Sequence, residues 1–450
     1  MPDTFPQKVA FGLYGFIWRL MGPCLALNPR LAEGFDERTV QTELPSARIW
    51  IQAASVGESY LALSLFNSFE KPALSPVLLT SSTSQGVGIL KRGIKSGTNS
   101  HGVQGAVSFF PFDSPDVMER VVERISPDVM VLIESEIWPG LLSALKRYGS
   151  YVLIINGRMT EKSAVRYRLW PALWQSIAPN KILATTSEDV ARFKSLFGTS
   201  EVALMPNMKF DRLSVRSNSG AEDWLARFVP SGWTFLVLGS VRREEEQWVE
   251  KIIRYIQRRR PDTIIGLFPK HEHRVAYWKR RLTSCNIKWS LRSERHACVP
   301  TGMIVIWDVF GELEAAYKRS QAAFVGGSLA PLGGHNFLEP LMCGVKPVIG
   351  PYWNDFKWAG SEIVARGLVR VASGWEEVAH TLVGDIGKTQ AREKVKKEAR
   401  EYVKYRRGGT VQACREIEAA VIARSSGSST SDRGLVGSTS HKETEQRVYD

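Results

Sequence analysis

From Arg48 onward, short apolar runs alternate with segments of helical character. Ile49-Trp50-Ile51, Val77 to Thr80, Val129 to Ile133 and Val152 to Ile155 read as strands, and the turn Ala53 to Gly57 leads into a helix from Glu58 through Phe69. Near residue 213 the alternation fails: Arg216 to Gly220, RSNSG, and Pro230-Ser231-Gly232 bracket one short helix, the pattern of a linker. It restarts with Thr234 to Leu238, Thr263 to Leu267, Met303 to Ile306, Ala322 to Val325 and Lys346 to Ile349. Continuous apolar runs between helices predict parallel sheets covered on both faces. The fold class is therefore α/β, with two Rossmann-like doubly wound domains and a ligand cleft between them. The predicted boundaries are 1–47 for an N-terminal membrane-associating segment, 48–212 for an acceptor-binding domain and 213–232 for a linker. A nucleotide-sugar-binding domain follows at 233–424, and a serine- and glycine-rich disordered tail at 425–450.

The stretch from Ala323 to Pro351, AFVGGSLAPLGGHNFLEPLMCGVKPVIGP, sets two glycine pairs between apolar runs. Glycine accommodates positive φ and close approach of a ligand to backbone N–H groups, and a helix starting near Asn336 would aim its positive end at an anion. The stretch reads either as a nucleotide-phosphate cradle or as a plain glycine-rich turn. The most apolar segment, Val9 to Leu27, contains Arg19 and the Gly22-Pro23 break, whereas a spanning helix needs about 20 nearly uninterrupted apolar residues. It reads as an interfacial segment that lays Phe11, Tyr14, Phe16, Ile17 and Trp18 among lipid headgroups, or as a helix packed on the protein itself.

The composition is that of a globular protein, with 44% hydrophobic and 23% charged residues, but the net charge of +13 favours acidic partners. The basic residues are spread among acids rather than gathered in one stripe, which argues against a nucleic-acid binder. The five cysteines are scattered, so neither a disulfide framework nor a zinc knuckle is indicated, and no Asp-x-Asp pair offers a metal-bridged diphosphate site.

The polar residues that stand out follow strands, where ligands of doubly wound sheets bind. Glu58, at a helix start, is placed either to act as a general base or to complement the helix dipole. Strand alternation would put Glu134 and Glu136 on one face, where burial and mutual repulsion raise at least one pKa. Lys209 and Lys270 offer cations, Asn336 and Glu339 offer hydrogen bonds to a nucleotide, and Arg158, Lys162 and Arg166 would share one helical face with Tyr167, Trp170 and Trp174 interleaved.

Taken in order, ASVGE (Ala54 to Glu58), IESEIWP (Ile133 to Pro139), NGRM (Asn156 to Met159), NMKFD (Asn207 to Asp211), PKH (Pro269 to His271), GEL (Gly311 to Leu313) and FVGGSLAPLGGHNFLEP (Phe324 to Pro340) resemble the 3-deoxy-D-manno-octulosonic acid (Kdo) transferases of Gram-negative envelope synthesis. The resemblance implies a GT-B glycosyltransferase that transfers Kdo from CMP-Kdo to a lipid A precursor. It further implies action at the anionic cytoplasmic face of the inner membrane, without metal or other cofactor. By position, Glu58 matches the family's proton acceptor, and Glu134 and Lys209 match its transition-state stabilisers. Pro269, Lys270, Phe310, Gly311, Glu312, Asn336, Phe337, Leu338 and Glu339 match its CMP contacts. The chain departs from the family pattern at Lys270, usually arginine; at Asp308-Val309-Phe310, usually Asp-Thr-Met; at Val241-Arg242-Arg243, usually a Thr-His-Glu type turn; and at Pro206, usually glycine. These departures leave open a GT-B transferase with another nucleotide-sugar donor.

Overall fold

Because the central strands are buried on both faces, their sequences carry no polar alternation. Every residue of β1 (Ile49–Ala53), β2 (Val77–Ser81) and β4 (Val129–Ile133) is buried. With β3 (Gly105–Phe109), β5 (Tyr151–Gly157), β6 (Lys181–Ala184) and β7 (Glu201–Leu204) they form a seven-stranded sheet in the order β3-β2-β1-β4-β5-β6-β7. All its pairs are parallel. The chain winds outward from β1 to β3 and returns to β4, so the strand order reverses between β1 and β4. The structure, a computed structural model, describes residues 5–25, 27–94, 97–213, 225, 228–230, 232–294, 298–386 and 391–427.

A second parallel sheet repeats the design. It runs β10 (Trp289–Leu291), β11 (Ile304–Ile306), β9 (Ile264–Pro269), β8 (Phe235–Val241), β12 (Ala322–Val325), β13 (Val348–Ile349) and β14 (Arg370–Val371), in that spatial order. Its reversal falls between β8 and β12. Two Rossmann-like domains were expected, and two are present.

Their extents differ from the expected ones. One unit comprises Met1–Met208 together with Gly408–Asp450, the other Lys209–Arg407. The last helix, Gly409–Gly427, does not close the second domain. It packs on the helix Val56–Ser68 and on β4 and β5 of the first sheet. Its apolar residues Ala413, Cys414, Ile417, Ala420 and Val421 complete the core that contains Leu65 and Phe66. Their helical spacing turns one face inward, and burial of that face is what returns the chain to the first unit. The helix also continues through Ser425 to Gly427, three residues into the expected tail, whose remainder lies outside the described residues. Most of the expected linker lies outside them as well, but Leu225, Phe228 and Val229 are buried in the second unit's core. Lys209, assigned from sequence to the first domain, belongs to the second unit.

The N-terminal helix runs from Phe5 to Leu25, past the expected break at Gly22-Pro23. One face packs on the protein. The Tyr14 hydroxyl donates to Asp113 (2.8 Å), Arg19 pairs with Asp116 (2.9 Å), and Trp18 meets Phe112 with ring centroids 6.0 Å apart. The other face bears Val9, Leu13, Phe16, Ile17, Leu20 and Met21, all exposed, with Phe16 and Leu20 at 57% and 63%. The packed reading holds for one face, where Phe11, Tyr14 and Trp18 turn to the protein, while Phe16 and Ile17 on the other are exposed. No helix among the described residues is long and apolar enough to cross a membrane.

Candidate active site

The residues with chemical potential in the first unit gather beyond the carboxyl ends of β1 and β4, the two strands between which the order reverses. Ser55 caps the helix Val56–Ser68, its hydroxyl oxygen accepting from the Glu58 backbone N–H at 3.3 Å. The Glu58 carboxylate accepts in return from the Ala54 N–H (2.7 Å) and the Ser55 hydroxyl (2.9 Å). This is a reciprocal cap of the Ser-x-x-Glu kind. It holds the carboxylate in one place, half-buried over the strand ends, so capping does not compete with acting as a base.

The turn after β4 is not the alternating strand the sequence suggested. Glu134 lies beyond the strand end with φ of 64°, an unusual backbone for a glutamate, and is found with Arg158 at 4.0 Å. Glu136 turns inward instead. Its Oε2 accepts from the Trp138 indole N–H (2.6 Å) and the Gln52 amide (3.2 Å). The Gln52 carbonyl oxygen in turn accepts from the Thr80 hydroxyl (2.7 Å), and that hydroxyl's oxygen accepts from the Trp50 indole N–H (2.9 Å). Burial pushes the Glu136 carboxyl up to about 7, and the charges of Glu58 and Glu134 push the same way, against the two hydrogen bonds. At least one raised carboxyl was expected of the pair, and Glu136 carries one. Asn156 completes the group: its amide faces Glu134 at 3.4 Å, and its carbonyl oxygen accepts from the Met208 N–H at 2.9 Å.

Arg158, Lys162 and Arg166 do not share a helical face. The helix begins only at Glu161, and Arg158 precedes it beside Glu134. Tyr167 and Trp174 pack edge to face at 4.9 Å and leave Trp170 exposed beside Leu169.

In the second unit the family-matched positions converge on a recess of about 190 Å³ at the ends of β8 and β9, lined by Ser240, Pro269, Lys270, Phe310 and Gly311. Its wall is a stacked pair, Phe268 on Trp307, with centroids 4.4 Å apart and planes at 18°. Aromatic faces of this kind suit a nucleobase. An adjoining pocket of about 790 Å³, bounded by Lys270, His271, His273, Lys279 and Phe310, falls within the ~300–1,000 Å³ typical of ligand sites.

Other matched positions have partners within the protein. Glu312 is already engaged: Arg292 grips it through two contacts (3.0 and 3.1 Å), and it accepts from the Trp307 indole N–H (2.8 Å). It therefore holds the aromatic wall in place. The helix expected near Asn336 starts at Leu338 and has five residues. Phe337 and Leu338 are wholly buried, so their side chains build core. Asn336 donates to Glu339 at 2.9 Å and accepts from the Leu338 N–H at 3.2 Å.

The glycine stretch is not an open phosphate cradle. The buried carboxylate of Glu245 occupies it, accepting from Gly327 N–H (2.6 Å), Leu329 N–H (3.3 Å) and Arg242 N–H (2.9 Å). Gly327 has φ of +70°, and a Cβ there would lie 3.0 Å from His335 Nε2. The glycine makes room for that imidazole. Burial, with the charges of Lys270, Arg242 and His271, lowers the His335 pKa to about 4. The sequence reading paired Glu136 with Glu134 but missed Glu245, Arg242 and His335 as parts of the site. Only Arg242 gave a local signal, as a departure from the family pattern.

Residues 32–212 match the family described as 3-deoxy-D-manno-octulosonic-acid transferase (kdotransferase). The chain is 29% identical over 330 residues to the 3-deoxy-D-manno-octulosonic acid transferase of Bordetella pertussis, covering 72% of this chain and 75% of that one. It is also 29% identical over 330 residues to the enzyme of the same name from Chlamydophila psittaci, covering 71% and 72%. In fold it superposes on a glycosyltransferase from Rickettsia africae with a TM-score of 0.54 at 10% identity, over 84% of this chain and 99% of that one. The architecture is GT-B.

Proposed function

The chain belongs to the Kdo transferase family of GT-B glycosyltransferases, and from that footing we propose that it transfers Kdo from CMP-Kdo to a lipid A precursor, lipid IVA, by an inverting step without metal. The observation that carries this reading is the held carboxylate of Glu58 at the β1/β4 reversal, beside Glu134 and Glu136. In the proposed step the acceptor hydroxyl oxygen bonds to the anomeric carbon of Kdo. The bond from that carbon to the phosphate oxygen breaks, and CMP leaves with the electron pair. Glu58 takes the hydroxyl proton as the new bond forms, Glu134 offsets positive charge developing on the sugar, and Lys209 offsets negative charge on the departing phosphate. The recess walled by Phe268 and Trp307 takes the cytosine, with Lys270 at the phosphate.

The same reading places the protein on the cytoplasmic face of the inner membrane. The bare face of the N-terminal helix, with exposed Leu169 and Trp170 and the cations Lys162, Arg166 and Arg168, has the mixture that interfacial binding requires. Phe16→Glu combined with Leu20→Glu should abolish pelleting with anionic vesicles while the soluble protein keeps its fold. Unchanged pelleting would remove this helix as the docking element.

The deciding assay supplies CMP-Kdo, generated in situ, and tetraacylated lipid A precursor, with and without a chelator. Kdo-bearing lipid should form at the same rate in both. A chelator-sensitive rate would overturn metal independence. Transfer from a UDP-sugar, with none from CMP-Kdo, would select the other GT-B reading that the departures at Arg242, Lys270 and Phe310 keep in view.

A further inference from the structure

In the second unit, two buried nitrogens in one neighbourhood have no hydrogen-bond partner: Arg242 Nε and His335 Nε2. Arg242 follows β8 and His335 follows β12, so they belong to the two strands between which the order reverses, the position where doubly wound sheets hold ligands. They face the same charges. His335 feels Lys270, Arg242 and His271, and His271 feels Arg242, His273 and Lys270, with Glu244 acting on it in the opposite sense. The nearest acid of Arg242, Glu244, stands 3.7 Å from its Nε, beyond hydrogen-bond distance. Glu245, by contrast, spends its carboxylate on backbone N–H groups, Arg242's own among them. The structure therefore gathers a guanidinium, an ammonium and an imidazole in one neighbourhood, where the acid present, Glu244, does not reach the Arg242 Nε–H. Buried donors without partners are uncommon, and a pair of them at a strand-order reversal calls for a physical account.

We propose that Arg242 and His335, with Lys270, form an oxyanion-binding arm beside the aromatic recess and hold an acidic group of the donor. This rests on the donor reading given above. The fork that a lysine at position 270 cannot offer is supplied by the guanidinium at position 242, which can approach a phosphate or carboxylate with two N–H groups. His335, seated on Gly327, adds its Nε2 from the opposite strand. A sugar-nucleotide carries the required chemistry twice when its sugar is an acid, once in the phosphate and once in the sugar carboxylate. Binding measurements can tell the two apart.

Calorimetric affinities for cytidine, CMP, free Kdo and inorganic phosphate are compared between the full chain and the variants Arg242→Gln and His335→Gln, with thermal unfolding run in parallel. Loss of a charge-assisted hydrogen bond should weaken CMP by about tenfold to a hundredfold and leave cytidine unchanged. If the arm takes the carboxylate, free Kdo weakens in the same proportion and CMP does not. The proposal is overturned if every ligand keeps its affinity, or if cytidine weakens as much as CMP, since either result removes a specific anion contact. Failure of the donor reading looks different: the wild-type chain then binds neither CMP nor cytidine. Inorganic phosphate still tests the arm in that case, because its binding either falls in both variants or, by persisting in them, overturns it. Arg242→Lys separates charge from fork, and should recover only part of the affinity.

Discussion

Glu58→Gln should lower the transfer rate by about a hundredfold to ten-thousandfold, the contribution typical of a positioned general base, without disturbing the fold. The second half of the expectation comes from the cap. Glutamine serves at the third helical position of a Ser-x-x-Glu motif as glutamate does: its one carbonyl oxygen can still accept from the Ala54 N–H, and its amide N–H can donate to the Ser55 hydroxyl oxygen where the carboxylate accepted from it, so the side chain stays bridged to both. A thermal midpoint equal to that of wild type, with steady-state rates measured on both proteins, separates chemistry from capping. Should the variant turn over within tenfold of wild type, Glu58 is a cap and nothing more, and the base must be sought among its neighbours. Glu136 is the group to watch in the pH profile. Its proton is held up to about 7 by burial first and by Glu58 and Glu134 second. Below that pH the neighbourhood carries one negative charge fewer, so the profile of the wild type should show a step near neutrality that Glu136→Gln removes. The other groups acting there are Tyr167, which feels both Glu136 and Arg166, and Arg158, which stands by Glu134.

The central strands were legible in the sequence because burial on both faces left unbroken apolar runs; Val129 to Ile133 and Ala322 to Val325 coincide with β4 and β12 to the residue. The strands it did not show are mostly at or near sheet edges. In β3 and β7 half or more of the residues are partly exposed, and β14 has two residues, so none of them needs a continuous apolar run. The site divides in the same way. Glu58 was legible because a strand, a capping serine and a glutamate three positions later are neighbours in sequence. Glu136 became distinct only through Gln52 and Trp138, and a chain of hydrogen bonds reaching β2. The run Arg242-Arg243-Glu244-Glu245-Glu246 reads locally as a solvated charged turn, yet Glu245 is wholly buried, because its partners lie on the turn after β12, more than eighty positions away. The glycines were rightly read as accommodating something close, but the occupants are a carboxylate and an imidazole of the protein itself. Likewise, nothing local says that a helix ending at Gly427 belongs to the first sheet; that follows from which groove its apolar face fills.

The occupied glycine turn makes Glu245→Ala the most damaging single change expected in the second unit. Removing the carboxylate strips the acceptor from the N–H groups of Arg242, Gly327 and Leu329 where little water can replace it. An unmet buried donor costs about 1–3 kcal/mol, so the loss should be about 3 kcal/mol or more, read from denaturant unfolding followed by a probe within Lys209–Arg407. Hydrogen exchange at Gly327 and Leu329 should quicken in step. The pH dependence gives a second check. Burial raises the folded pKa of Glu245 above its unfolded value, so its contribution is fully present below the unfolded pKa and is lost as pH rises through the folded one. The wild-type unit should therefore lose stability as pH rises from the acid range toward the raised value, and Glu245→Gln, which keeps one acceptor oxygen and cannot titrate, should lose that slope. If Glu245→Ala instead costs under about 1 kcal/mol, the N–H groups have found solvent or another acceptor. The glycine turn would then be open enough for a phosphate after all, and the cradle that the sequence suggested would return as the better account of this stretch.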